Sequence, residues 1–315
     1  MGTKYPSIFM NTKEIVMKKL VFVFLLACAL ALCLSACTSN SAQETIPSIG
    51  LAYTLSDDGT YYSVSGIGNC EDTDIVIPLM HNELPVKEIA YSAFHNCDSL
   101  TSVVIPNSVT SIGYRAFSYC DSLTSVVIPD SVTSIGDFAF GWCYKLIEVI
   151  NHSTLDIQAG TSDYGAIGYY AKEVHKGESK IVNQNGYLFY PYQGANYLFG
   201  YTGNETDLIL PENYKGETYE IYQWAFYSCD SLTSVVIPDS VTNIGDRAFY
   251  VCDSLTSVVI PDSVTRIGEK AFADCTGLEN IYYRGTEVQW IAISKGSAWN
   301  LNTGSYTMTY NYTGQ

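Results

Sequence analysis

The segment Leu100–Cys120, LTSVVIPNSVTSIGYRAFSYC, returns three times, as Leu123–Cys143, Leu232–Cys252 and Leu255–Cys275, and within each adjacent pair the offset is 23 residues. A fixed period of this size marks a chain that coils in one dimension, each unit burying its apolar side only by stacking on the next. It constrains the fold more than the length does. A chain of 315 residues would otherwise allow one or two ordinary domains.

Within a coil, alternation sends Leu100, Val103 and Ile105 to one side and Ser102 and Val104 to the other. Pro106 lacks a donor and ends the hydrogen-bonded run. Val109 and Ile112 form a second apolar pair, and Gly113 permits a tight turn. Ala116, Phe117 and Cys120 then fill the core from a short helical turn. The pattern Leu-x-x-Val-x-Ile-Pro followed by Ala-Phe-x-x-Cys closely resembles the BspA-like, Treponema-type leucine-rich repeats, over residues 75–149 and 208–283. It departs from ordinary leucine-rich repeats at Pro106, Pro129, Pro238 and Pro261, where those carry Asn or Cys. The resemblance implies a repeat solenoid, a right-handed coil with a parallel β-sheet on one face, short helical turns opposite and capping hairpins. It also implies a bacterial surface protein, some members of the family being adhesins for host extracellular proteins.

The N-terminus reads differently. Met17-Lys18-Lys19 is basic, Leu20 to Leu34 is almost wholly apolar, and Leu34-Ser35-Ala36-Cys37 follows. This order resembles the lipobox of bacterial lipoproteins, which implies removal of residues 1–36, a lipid on Cys37 and export to the cell envelope or surface. Residues 1–16 carry none of this pattern, which makes Met17 a candidate start. An uncleaved membrane anchor and a secretory peptide cut elsewhere are the alternatives. No second apolar run of that length follows, so the membrane is expected to be reached through the lipid alone.

Without residues 1–36, 12 basic and 31 acidic residues remain, a net charge of −19. Such a surface repels phosphates and disfavours nucleic acid and anionic membrane, so no nucleic-acid partner is expected. Cys97, Cys120 and Cys143 share one phase of the repeat, as do Cys229, Cys252 and Cys275. Two ladders of three cannot pair completely within themselves, so buried free thiols are expected, although adjacent rungs are near enough to bridge.

In chain order, residues 37–50 are a polar tether, and 51–149 hold an N-terminal capping hairpin turned at Asp57-Asp58-Gly59 and a first repeat array. Residues 150–206 break the period as an irregular, Tyr-rich insertion with a hairpin at Tyr187–Tyr201 and a short helix between Tyr164 and Val174. Residues 207–283 form a second array, and 284–315 a C-terminal cap with a short helix from Glu287 to Ile293 and a closing strand from Ser305 to Tyr312.

No motif for a metal, a phosphate or a catalytic nucleophile is present, and the four His are scattered, so neither enzyme activity nor a cofactor or metal is expected. Asp130, Asp239 and Asp262 share one phase, read as turn chemistry before a cation strip. Two surfaces are candidates for binding. One is the exposed sheet, tiled by Ser102, Val104, Ser125, Val127, Ser234, Val236, Ser257 and Val259; plain β-propensity explains it equally well. The other is aromatic, since 11 of the 26 Tyr fall between Tyr164 and Tyr222, with Tyr169, Tyr170, Tyr190, Tyr192 and Tyr197 singled out against a packing role. Variation among the regular coils concentrates after each Ile-Gly, at Tyr114/Arg115, Asp137/Phe138, Asp246/Arg247 and Glu269/Lys270. The sequence thus favours a non-catalytic, adhesin-like binder of an extracellular protein or glycoprotein, with a structural spacer or a glycan-binding accessory protein as alternatives. Labelled fatty acid is expected to enter the wild-type chain and not Cys37→Ser; equal incorporation in both would refute the lipid acceptor.

Overall fold

The computed structural model describes residues 46–314, which form one compact unit. The candidate signal, Cys37 and most of the tether lie outside the described residues. Among the described residues no helix is long and apolar enough to cross a membrane.

The chain is a solenoid with stacked, mainly parallel strands on two faces rather than one. The longer strands come from the Ser-Val-Val-Ile segments: Asp74–Val76 pairs with Ser102–Val104, and Ser125–Ile128 with Glu148–Asn151 and then Glu173–His175. The shorter strands come from the Ser-Ile segments beyond each Pro, so that Leu84–Ile89, Ser111–Ile112 and Ser134–Ile135 pair in turn. The second array repeats both. Asp207–Ile209, Ser234–Val236, Ser257–Ile260, Asn280–Tyr283 and Thr307–Thr309 form one sheet. Ala195–Tyr201, Tyr219–Ile221, Val241–Ile244, Arg266–Ile267 and Ser294–Lys295 form the other. The expected hairpin Ala52–Leu55/Tyr62–Gly66 begins the stack, and Tyr187–Tyr192/Ala195–Tyr201 begins the second array.

The third side of each coil, expected as a short helical turn, is a ladder of turns. Alternate N–H groups close back on their own coil, as Ala116 N to Gly113 O does, while the others reach the next coil. Arg115, Phe117 and Tyr119 donate to Asp137, Ala139 and Gly141; Arg247, Phe249 and Val251 donate to Glu269, Ala271 and Ala273. A helix would consume all of these donors internally and leave the coils unjoined on this side. The geometry requires left-handed backbone at two positions per coil, occupied by Arg115 and Tyr119, Phe138 and Trp142, Trp224 and Ser228, or Arg247 and Val251. Non-glycine residues bear about 1–2 kcal/mol each for this conformation, which the inter-coil bonds offset.

Glycine is needed elsewhere, for space. A Cβ on Gly113, Gly136, Gly245 or Gly268 would lie 2.4 to 2.8 Å from backbone of the preceding coil, and none of these four has a positive φ. Gly113 therefore serves close approach rather than a left-handed turn. Inside, Phe94, Phe117 and Phe140 stack at 5.0 to 5.1 Å, as do Phe226, Phe249 and Phe272 at 4.9 to 5.1 Å. Beside them, Cys120, Cys143, Cys252 and Cys275 donate S–H to the carbonyls of Phe94, Phe117, Phe226 and Phe249 at 3.0 to 3.1 Å. The thiols are unpaired. The Cys143 side chain and burial push the Cys120 thiol up, and burial pushes Cys97 up to about 11, so these two are held as unreactive thiols at neutral pH.

The helix expected between Tyr164 and Val174 is a single turn, Asp163–Ala166, broken by left-handed Tyr164 and Gly165. Coil geometry continues through this stretch although the sequence period does not: Phe140 N reaches Gly165 O, Ile157 and Ile167 enter the core, and Glu173–His175 extends the sheet. The C-terminal helix, Glu287–Ala292, carries a Thr286/Gln289 capping box and buries Trp290. Phe249→Ala is expected to cost about 3–5 kcal/mol, and Gly245→Ala to destabilise by prying apart two coils, both read from urea denaturation. A wild-type midpoint for Gly245→Ala would refute the close-approach account.

Candidate functional site

The turn ladder determines what this side of the molecule displays. Residues in the left-handed positions, and those following each Ile-Gly, have their backbone held by inter-coil bonds while their side chains are free to vary. In the first array several of them are aromatic. Tyr91 and Tyr114 stack at 5.6 Å, Tyr114 meets Phe138 edge-on at 6.2 Å, and Trp142 stacks on Phe138 at 5.4 Å and on Tyr119 at 4.7 Å. Tyr91 is 68% exposed and Phe138 45% exposed. The result is an aromatic strip on the outside of a solenoid whose core is already complete.

The strip continues across the junction between the arrays. Tyr144 stacks on Trp224 at 4.2 Å, and Trp224 is flanked by Tyr227 at 5.1 Å and by the Arg247 guanidinium 5.0 Å from its ring centre. Arg247 also reaches Glu269 at 3.3 Å. Tyr169, 52% exposed, stands edge-on to Tyr170 at 4.8 Å. Trp142, Tyr144, Tyr169, Tyr170, Gln223, Trp224 and Arg247 line an open cleft of about 530 Å³. Burial holds the Tyr144 phenol at about 12, a hydrogen-bond donor at any physiological pH.

Of the tyrosines singled out in the sequence, Tyr169 and Tyr170 line this cleft, whereas Tyr190, Tyr192 and Tyr197 bind the hairpin to the first array. Tyr190 is fully buried, packs with Ile147 and Phe199, and donates to Glu173 at 2.8 Å. Tyr192, Tyr197 and Tyr222 surround the Lys172 ammonium, with Tyr197 nearest at 4.3 Å. Beneath them the fully buried Glu148 accepts from Ser179 Oγ at 2.6 Å and Lys180 N at 2.8 Å, and faces His175 Nε2 at 3.0 Å. Burial works against ionised Glu173, but hydrogen bonds from Lys180 and Tyr190 hold its carboxyl below the usual range.

The sheet residues are mixed. Val104 and Val127 are exposed at 42% and 38%, Ser125, Val236 and Ser257 are half-buried, and Val259 is buried in the row between Val236 and Tyr282. Ser102 and Ser234 donate to Asp74 and Asp207 of the preceding strand, at 2.7 and 2.5 Å. Thr101, Thr233 and Thr256 spend their hydroxyls on the coil before, Thr256 on Thr233 O at 2.9 Å. Asp239 pairs with Arg284 at 3.0 Å, and among the described residues no group of three His, Cys or acidic side chains is placed to hold a metal.

Trp142, Tyr144, Trp224 and Arg247 escaped the sequence reading as a group. The variable pairs after Ile-Gly pointed to their face; the missing step was that two arrays bring Tyr144 against Trp224, 80 positions away.

Stacked two-sheet coils with a Phe and Cys ladder and a turn face define a leucine-rich-repeat solenoid, a fold that is typically a non-catalytic scaffold. The family model for the BspA type leucine rich repeat region matches in six copies over residues 69–161 and 195–306, more than half of the chain, and the chain belongs to that family. Among solved structures it is similar to the leucine-rich-repeat protein TpLRR of T. pallidum, at 23% identity over 80% of this chain and 86% of that one, with a TM-score of 0.32. A leucine rich cell surface protein of Faecalibacterium prausnitzii matches at 22% identity over 81% and 99%, with a TM-score of 0.27. A leucine-rich repeat protein of Bacteroides capillosus matches at 26% over 41% and 99%, with a TM-score of 0.34. No curated protein matches.

Beside the cleft, Asp121 has a carboxylate oxygen without a hydrogen-bond partner, and burial followed by the nearby Asp98 raises its pKa to about 6. A raised acid destabilises the fold when ionised, so stability is lost as pH rises from the ordinary value of 3.8 through about 6. Asp121→Asn is therefore expected to raise Tm at pH 7.5, on the order of 1–3 °C after solvent screening, and to leave it unchanged near pH 4. The thermal melts of both proteins at the two pH values check this.

Proposed function

We propose that this chain is a non-catalytic, lipid-anchored binding protein of the bacterial cell surface, and that its aromatic strip engages an extracellular protein or glycoprotein. The carrying observation is the set of exposed rings Tyr91, Tyr114, Phe138 and Tyr169, with half-buried Trp142 between them, on a molecule of net charge −16. An acidic surface keeps a protein soluble by itself. It does not call for exposed rings, which the packed Phe ladder does not use. Contiguous exposed aromatic surface framed by polar residues is the composition of recognition sites. The sheet face contributes less to the reading, because Thr101, Ser102, Thr233, Ser234 and Thr256 spend their hydroxyls on coil-to-coil hydrogen bonds. The envelope address rests on the basic–apolar–Cys37 order of the N-terminus and on family membership.

Capture of extracellular matrix glycoproteins by immobilised full-length chain tests the reading. A variant carrying Tyr91→Ser, Phe138→Ser and Tyr169→Ser is expected to lose at least about tenfold in affinity, some 1.4 kcal/mol, while Val104→Ser with Val127→Ser stays within about twofold. Equal loss in both, or none in the first, would move the site off the strip. No capture by the wild type would favour a spacer.

A further inference from the structure

We propose that the cleft where the two arrays meet is a subsite for a single neutral pyranose ring of a glycan chain, an inference that rests on the surface-binding reading above.

The cleft's chemistry selects this class of ligand. Its lining is mostly ring surface: Trp142, the Tyr169/Tyr170 pair and the Tyr144–Trp224 stack, with Tyr170 edge-on to Tyr144 at 5.2 Å. A pyranose offers an apolar C–H face to such rings and a rim of hydroxyls to polar tips. Those tips are present: tyrosine hydroxyls, with Tyr144 held as a neutral phenol, and the Gln223 amide. At about 530 Å³ the opening lies within the range of small-molecule sites.

Charge narrows the choice further. Arg247 is the one charged residue in the lining, and its guanidinium is committed to the Trp224 ring and to Glu269. Among the described residues the cleft lining holds no second cation for a carboxylate or sulfate, and the acidic molecule repels anionic sugars from a distance.

Backbone bookkeeping argues against an extended peptide at this point. A peptide added as a strand needs unpaired N–H and C=O groups along an edge. Here Trp224, Phe226 and Ser228 already donate to Asp246, Ala248 and Tyr250 of the next coil, and Phe140 donates to Gly165. With Trp224 and Arg247 of the lining spent in this way, that wall presents no run of free strand edge, which suits a compact ligand.

The experiment uses full-length chain and a panel of oligosaccharides ending in glucose, galactose, mannose or N-acetylhexosamine, with sialylated versions as contrast, read by saturation-transfer NMR and titration. Neutral chains are expected to bind, sialylated ones at least about tenfold more weakly, and Tyr169→Ala to weaken the neutral chains by at least about tenfold. Tyr169 is half-exposed, so Tm is expected to be unchanged; Tyr169→Trp retains a ring and is expected to bind. Neutral binding that survives Tyr169→Ala would overturn the subsite. Capture of a glycoprotein that persists after enzymatic removal of its glycans, yet is lost in Tyr169→Ala, would overturn the glycan and leave the strip as a polypeptide-binding surface. Absence of binding to both panel and glycoproteins would overturn this inference and the broader reading together.

Discussion

The spacing between successive coils governs everything else in this protein. It is set where Gly113, Gly136, Gly245 and Gly268 let one backbone pass within Cβ-excluding distance of the next. At that spacing two sheets pair in register, the Phe rings stack near 5 Å, and Cys120, Cys143, Cys252 and Cys275 reach the carbonyl of the coil before. Widen the corner and all three rows lose their partners together. The coil is thus a cooperative unit whose stability is shared with its neighbours rather than stored within it.

Much of this was legible in the chain because the repeat is almost literal. Leu100, Val103, Ile105, Phe117 and Cys120 recur at one phase, and recurrence at a fixed phase in a stacked fold means burial. The second sheet was harder to read, since Ser111–Ile112 is two residues long and carries no alternation to recognise. The turn face was read as helical because Ala-Phe-x-x-Cys has helical spacing. The left-handed backbone at Arg115 and Tyr119 gives no local signal, because it is imposed by hydrogen bonds to a coil 23 residues on.

The same contrast explains the site. Tyrosine density between Tyr164 and Tyr222 was visible, but density does not separate mortar from display. Tyr190 and Tyr197 lie over a polar knot around Lys172 and buried Glu148, whereas exposed Tyr169 and half-buried Tyr170 line a cleft completed by Trp224. That division depends on where a long hairpin sets the second array against the first, a long-range fact with no sequence period behind it.

The turn ladder has a further consequence, in heredity rather than in energetics. Because inter-coil bonds hold its backbone whatever side chain is present, any coil can be copied or excised as a block of 23 residues without rebuilding the rest. Near-identical coding repeats recombine with one another. Unequal exchange between Leu100–Cys120 and Leu123–Cys143 would lengthen or shorten the strip by one rung while keeping the register of every row. The reach of the display surface is in that sense a count, adjustable between generations, and the chemistry at each rung drifts independently of that count.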